Sequence, residues 1–214
     1  MTVARGDGLA QARHVLEALG SSLFVKPASG GSAIGGTRLE RDATAEATAK
    51  ALETAWAFDE VAVVEQFAQG REVSCGVLDV GGAPMAALPA TEIVVDKFAF
   101  YTFEAKYAQG ASVHRCPAPV TPGLMKRIQA VAMGAHRALG CRDLSRVDMI
   151  VGDGSDASTI MLLEVNTLPG FTPTSLFPEA AAVAQIPFED LVHRLVASAY
   201  DRGASHRNAP LPLP

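Results

Sequence analysis

Cysteine is scarce in this chain: 214 residues hold only Cys75, Cys116 and Cys141. Their odd number and wide separation exclude a disulfide framework and give no zinc-ligand spacing. Such usage fits a reducing cytoplasm. The five histidines are scattered, so an imidazole metal site has little support. A basic excess is also missing. Lys and Arg total 18 against 23 Asp and Glu, a net charge of −5, which argues against a general nucleic-acid or membrane surface. No apolar run reaches transmembrane length, and no signal peptide is visible. What is present is apolar side chain, 49% of the chain, enough for a packed core and against global disorder. The length fits one sizeable domain or two small ones.

Strands and helices mix without a regular βαβ rhythm, which predicts an α+β fold with antiparallel sheets. A first helix is expected from about Leu9 to Leu19. Leu23–Val25 reads as a strand stopped by Pro27, before the Gly/Ser/Ala loop "ASGGSAIGG". "DATAEATAKALETAWAF" reads as an alanine-filled helix capped by Asp42 or Thr44. "EVAVVEQFAQGREVSCGVLDVGG" gives two strands around Gln69-Gly70, and "PMAALPATEIVV" one more. "DKFAFYTFEAKYAQGA" has no clean period and reads as a loop. "TPGLMKRIQAVAMGAHRALG" has helical spacing, Pro122 near its start and Gly140 at its end. "SRVDMIVGDG" and "TIMLLEVNT" form a hairpin across a Gly/Asp/Ser turn. "PFEDLVHRLVASAYDRG" is the last helix. The tail "NAPLPLP" has the composition of a loose end.

The hairpin carries the strongest chemical signal. Ile160–Leu163 is a continuous apolar run and reads as a buried strand. Glu164 and Asn166 follow it two apart, hence on one face. Asp148 lies on the partner strand, close enough to join them. All three offer oxygen ligands, which suits Mg²⁺; ordinary sheet-surface residues are the alternative. Arg146 alternates onto the face of Asp148, either as a plain ion pair or facing charge on a reacting group. Gly170 permits close backbone approach, and Pro169-Gly170 is otherwise a simple turn. "KPASGGSAIGGT" is not a Walker A loop, because Gly36 stands where that motif needs lysine. Its amides and hydroxyls can still cradle phosphates beside Lys26, or form a flexible hairpin tip. Glu65 and Glu72 flank a turn and can accept from a nucleotide or simply face solvent. Lys106 and Tyr107 can serve a phosphate and a substrate, or staple a long loop.

In this order, "FVKPASGGSAIG", "VVEQFAQGREV", "FYTFEAKY", "ALGCRDLSRVDMIV" and "LLEVNTLPGFTPTS" resemble the D-alanine–D-alanine ligase family of ATP-grasp enzymes, from about Leu23 to Tyr200. The resemblance implies an ATP-grasp fold and an ADP-forming carboxylate–amine ligase of the cytoplasm. ATP would phosphorylate one D-alanine, and the amine of a second would attack the acyl phosphate. The product would be D-alanyl-D-alanine for peptidoglycan synthesis and cell-wall biogenesis. By motif position, Lys26 and Lys106 would contact ATP phosphates. Glu65, Phe67 and Ala68 would form the adenine hinge, and Glu72 would hold the ribose. Asp148, Glu164 and Asn166 would ligate two Mg²⁺ ions, with Mn²⁺ as a substitute. Arg146 and the Gly170 N–H would stabilise the oxyanion. Ser175 and Leu176 would bind the second substrate's carboxylate. Ser32 and Tyr107 would belong to a hydrogen-bonded set over the site, and Tyr107 points to an amine nucleophile.

The family has an N-terminal domain ahead of the matched region, where this sequence offers only Met1–Leu23. The expectation is therefore a lid subdomain at 1–72, incomplete at its N-terminus, and a catalytic domain at 73–214. Without the glutamate that the missing domain supplies, the chain alone is expected to ligate poorly. Relatives commonly pair through that domain, so no homodimer is expected from these residues. Another ATP-grasp amino-acid ligase and a non-catalytic ATP-binding remnant are the alternatives.

Overall fold

The computed structural model describes residues 1–31, 34–81, 83–95, 112–172 and 174–203. They form two compact units, one built on Met1–Gln69, the other on Gly70–Val94 with the chain from His114 onward. The described strand pairings are antiparallel in both. The α+β reading holds.

In the first unit β1 (Thr2–Ala4), β2 (Leu23–Pro27), β3 (Thr37–Leu39) and β4 (Val61–Gln66) are ordered β1-β4-β2-β3. Helices α1 (Gly8–Leu19) and α2 (Ala45–Trp56) share its core. Asp7 caps α1 by accepting from Leu9 and Ala10 N–H, and Thr44 caps α2 by accepting from Ala47 N–H. Alternation decides which side chains meet the helices. Leu23, Val25, Ala62 and Val64 are buried with Val15, Leu52 and Trp56. Phe24, Lys26, Val63 and Glu65 fall between them and take the other face.

The second unit has β5 (Arg71–Asp79), β6 (Ala86–Ala87), β7 (Thr91–Val95), β8 (Ser112–Arg115), β9 (Asp143–Val151) and β10 (Ile160–Asn166). Their order is β10-β9-β5-β7-β8, with β6 also on β5. Helix α3 (Pro122–Ala138) closes one face: Leu124, Ile128 and Ala132 pack on Val73, Cys75, Val77, Val147, Met149 and Val151. Thr121 caps α3, and Asp156 from the β9–β10 turn also accepts from Leu124 N–H at 3.1 Å, tying the hairpin to the helix. Helices α4 (Leu176–Val183) and α5 (Phe188–Arg202) cover one end of the opposite face. There Phe177, Ala180, Ala181 and Leu191 are buried with Leu78, and Leu144 packs beside them.

The sheet departs from the sequence reading in identifiable places. "PMAALPATEIVV" makes two strands, β6 and β7, because Pro89 between them has no ladder donor. The short β1 and β3 and the eight-residue α4 were not anticipated. The run Ile160–Leu163 is not a buried strand. It lies at the sheet edge, where Met161, Leu162 and Leu163 are 47%, 42% and 40% exposed. No described helix is long and apolar enough to cross a membrane.

Candidate functional site

Beyond the end that α4 and α5 cover, polar residues collect on that face of the six-stranded sheet. Strand register builds them into transverse rows. Thr91, Ser74, Asp148 and Glu164 are successive partners across β7, β5, β9 and β10. Gly76, Arg146 and Asn166 form the next row. On its other side Ile93, Glu72, Ile150 and Met161 form a third, an apolar shelf interrupted by one acid.

A β-bulge puts Glu164 into this set. Leu162 pairs with Met149, whose side chain faces α3, and Glu164 pairs with the next residue, Asp148. Leu163 is the extra residue between them. In an unbroken ladder Leu163 would oppose Asp148, and Glu164 would oppose Val147 on the covered side. The shared face of Asp148, Glu164 and Asn166 therefore depends on a one-residue irregularity.

Asp148 is 7% exposed and firmly held. Arg146 grips it like a fork, Nε donating to Oδ1 at 3.0 Å and Nη2 to Oδ2 at 2.8 Å. Ser74 Oγ donates to Oδ1 at 2.8 Å. A carboxylate has about four lone-pair positions, so these three bonds leave one open on Oδ2. Asn166 Oδ1 accepts from Leu168 N–H at 3.0 Å, which fixes the turn into Pro169-Gly170. Gly170 is there because of space: a Cβ on it would lie 2.9 Å from Ser175 Oγ. Ser175 Oγ accepts from Thr172 N–H at 2.9 Å and lies 2.8 Å from Thr172 Oγ1. Ser175 is thus the N-cap residue of α4 without a side-chain cap bond to the helix, and Leu176 is the helix's first residue.

The oxygen donors Asp148, Glu164 and Asn166 fit a hard divalent cation. Among the described residues no group of three or more His, Cys, Asp and Glu side chains could hold a metal ion by itself. Mg²⁺ usually takes one or two carboxylates and fills its other positions with water and phosphate oxygens.

In the first unit Lys26 and Glu65 share the face away from the helices and pair at 2.9 Å. Phe67 N–H donates to Ser22 carbonyl at 2.9 Å, and its ring lies 4.1 Å beneath the Arg38 guanidinium. Ala68 follows in the connection toward β5. The base of the glycine loop is tethered: Asp59 accepts from Ser29 N–H at 2.7 Å and from Val61 N–H at 3.1 Å. The Ser29 hydroxyl and these amides hold its carboxyl below its ordinary value. Ser32, Lys106 and Tyr107 lie outside the described residues.

Sequence reasoning passed over Ser74, Ile150 and Met161. Ser74 was findable, since it stands two residues from Glu72 and so shares its face. The shelf was not, because its members come from different strands and meet only through register.

Comparison with known proteins identifies the family. A family model described as "D-ala D-ala ligase C-terminus" matches residues 3–197. A D-alanine–D-alanine ligase of Maridesulfovibrio salexigens is 41% identical over 181 residues, covering 85% of this chain and 56% of that protein. Among solved structures, the VanG D-Ala:D-Ser ligase of Enterococcus faecalis has a TM-score of 0.76 and 31% identity, over 92% of this chain and 55% of the other. The Bacillus anthracis D-alanine–D-alanine ligase complexed with ATP has a TM-score of 0.70 and 25% identity, over 94% and 60%. The chain thus spans about half the length of the curated relatives it matches.

Proposed function

The chain belongs to the D-alanine–D-alanine ligase family, and we propose that it carries the ATP-binding and ligating half of such an enzyme. Residues 1–72 act as the lid and 73–214 as the catalytic domain. ATP phosphorylates the carboxylate of one D-alanine, and the amine of a second displaces phosphate to give D-alanyl-D-alanine for the cell wall, in the cytoplasm. The observation that carries this reading is the polar row Ser74–Asp148–Glu164 beside Arg146 and Asn166.

The roles are assigned by the motifs this sequence shares with the family. Lys26 at the base of the glycine loop, with Lys106, meets ATP phosphates. Glu65, Phe67 and Ala68 form the adenine edge, and Glu72 takes the ribose. Ile150, the partner of Glu72, and Met161 one strand further offer an apolar surface to a flat base. Asp148, Glu164 and Asn166 hold Mg²⁺, which neutralises phosphate charge when bound. Arg146, anchored by Asp148, is a fixed donor for oxyanion charge, joined by the Gly170 N–H. Ser175 and Leu176 receive the acceptor's carboxylate, and Ser32 and Tyr107 close over the site.

The purified protein is tested for ADP release over a panel of D-alanine, D-serine and D-lactate, with products identified by mass spectrometry. Slow D-alanine-dependent release with D-alanyl-D-alanine as product is expected of this chain alone, and Glu164→Gln lowers that rate by about a hundredfold or more. D-Serine belongs in the panel because of the likeness to a D-Ala:D-Ser ligase. Release that depends only on a different amino acid would replace the substrate. ATP binding without turnover on any of them would overturn the ligase reading in favour of a nucleotide-binding module.

A further inference from the structure

We propose that His114 and Glu179 form a positioning pair that fixes the acceptor-binding end of the site. The proposal rests on the reading that Ser175 and Leu176 meet the second substrate.

Helix α4 has eight residues, "LFPEAAAV", and Glu179 is its only charged side chain. A helix this short is marginal by itself and is held by what it packs against. Apolar packing of Phe177, Ala180 and Ala181 and one polar contact hold it. Phe177 is 1% exposed and lies over Gly76 of β5, where a Cβ would come within 3.0 Å of its ring. Glu179 then reaches sideways, its Oε2 lying 2.8 Å from His114 Nδ1 on β8. The two side chains are 21% and 33% exposed, so the pair is partly withdrawn from water. It is thereby worth more than an exposed ion pair. Cys116, two residues past His114, is half-buried, and burial pushes its thiol up against an opposing hydrogen bond with Thr91, with the Glu179 carboxylate adding to the rise.

Geometry links the pair to the acceptor end. Glu179 N–H donates to Ser175 carbonyl at 3.2 Å, so Glu179 stands one turn from Ser175 on the same helix. Phe177, Ala180 and Ala181 seat α4 on its core, and the contact to β8, the edge strand opposite β10, adds a directional polar tie at its side. Ser175 Oγ is already tied to Thr172, so the helix start and the Gly170 turn shift together. His114 and Glu179 therefore act through Ser175, Leu176 and Gly170, without touching substrate.

The test uses Glu179→Ala and His114→Ala, with Glu179→Gln as the conservative variant. Its amide oxygen still accepts from Nδ1–H. Both alanine variants are expected to raise KM for the acceptor about tenfold while KM for ATP stays within about twofold. Amide hydrogen exchange is expected to quicken in 174–183 and to stay unchanged in Asp143–Val151. Glu179→Gln is expected to restore most of both. Equal rises in both KM values, or unchanged exchange in 174–183, would overturn the proposal. If the wild-type protein ligates nothing, the functional reading has failed separately. Faster exchange confined to 174–183 in the variants then still supports the pinning, and its absence refutes it.

Discussion

The two faces of the six-stranded sheet are made by alternate residues of the same strands, yet they are built to opposite specifications. Val73, Cys75, Val77, Val147, Met149 and Val151 are fully buried beneath α3. One residue away in each case, Glu72, Ser74, Arg146, Asp148 and Ile150 form the other face. The buried side supplies the rigidity that the open side needs, because a ligand set must be held to a fraction of an ångström. The first unit repeats the plan: Leu23 and Val25 pack on the helices, while Lys26 between Val25 and Pro27 pairs with Glu65 on the other face. In both units period-two alternation separates stability from chemistry.

The sharpest way to break that separation is to damage one face and read the other. Met149 is completely buried against α3. Met149→Ala is expected to cost about 2–5 kcal/mol in denaturant unfolding, from lost transfer energy and an unfilled cavity. Under conditions where the variant stays folded, its Mg-ATP affinity by calorimetry should match wild type. A matching loss of affinity would show that the faces are not separable.

A smaller effect is expected where the open face stops being open. Gly76 shares that face with Arg146, but a Cβ there would come 2.9 Å from Leu88 Cδ1 and 3.0 Å from Phe177. Gly76→Ala is therefore expected to cost about 1–3 kcal/mol by overpacking, read from the same unfolding curves. Because Phe177 seats α4, acceptor binding should suffer with it. Unchanged stability would mean that Phe177 has room to move and does not fix the helix.

The hairpin, its acid-x-amide pair and the placement of Asp148 opposite them were legible from alternation and a Gly/Asp/Ser turn. The reason they share a face was not. Nothing in "IMLLEVN" marks Leu163 as a bulge, and without it Glu164 would point at α3. Four apolar residues in a row also read as burial, whereas the edge position leaves three of them exposed, since hydrophobicity reports what a strand can bury and not which neighbours it has. Helix α4 was missed because "LFPEAAAV" is short and has a proline in its first turn. It forms because Phe177, Ala180 and Ala181 find a core. The long helix α3, by contrast, announced itself by spacing, cap and terminal glycine, all local signals. What escaped depended on strand pairing between residues distant in sequence.

The smallest expected effect measures how dry the covered face is. Cys75 is buried under α3, and its thiol is pushed from about 9 up to about 12, mainly by burial, with a further contribution from Cys116. The sign follows from proton binding. Above about pH 9 the unfolded chain releases this proton while the folded chain keeps it, so alkali favours unfolding. The stabilisation is whole below that pH and is lost as pH climbs toward about 12. By about pH 10 the loss from this one group is about 1 kcal/mol. Cys75→Ala removes the group, so the unfolding free energy of wild type minus variant should fall by that amount between about pH 8 and 10. Other titrating groups cancel in the difference. A flat difference would mean that water reaches the thiol, and the covered face would then be less closed than its packing with α3 implies.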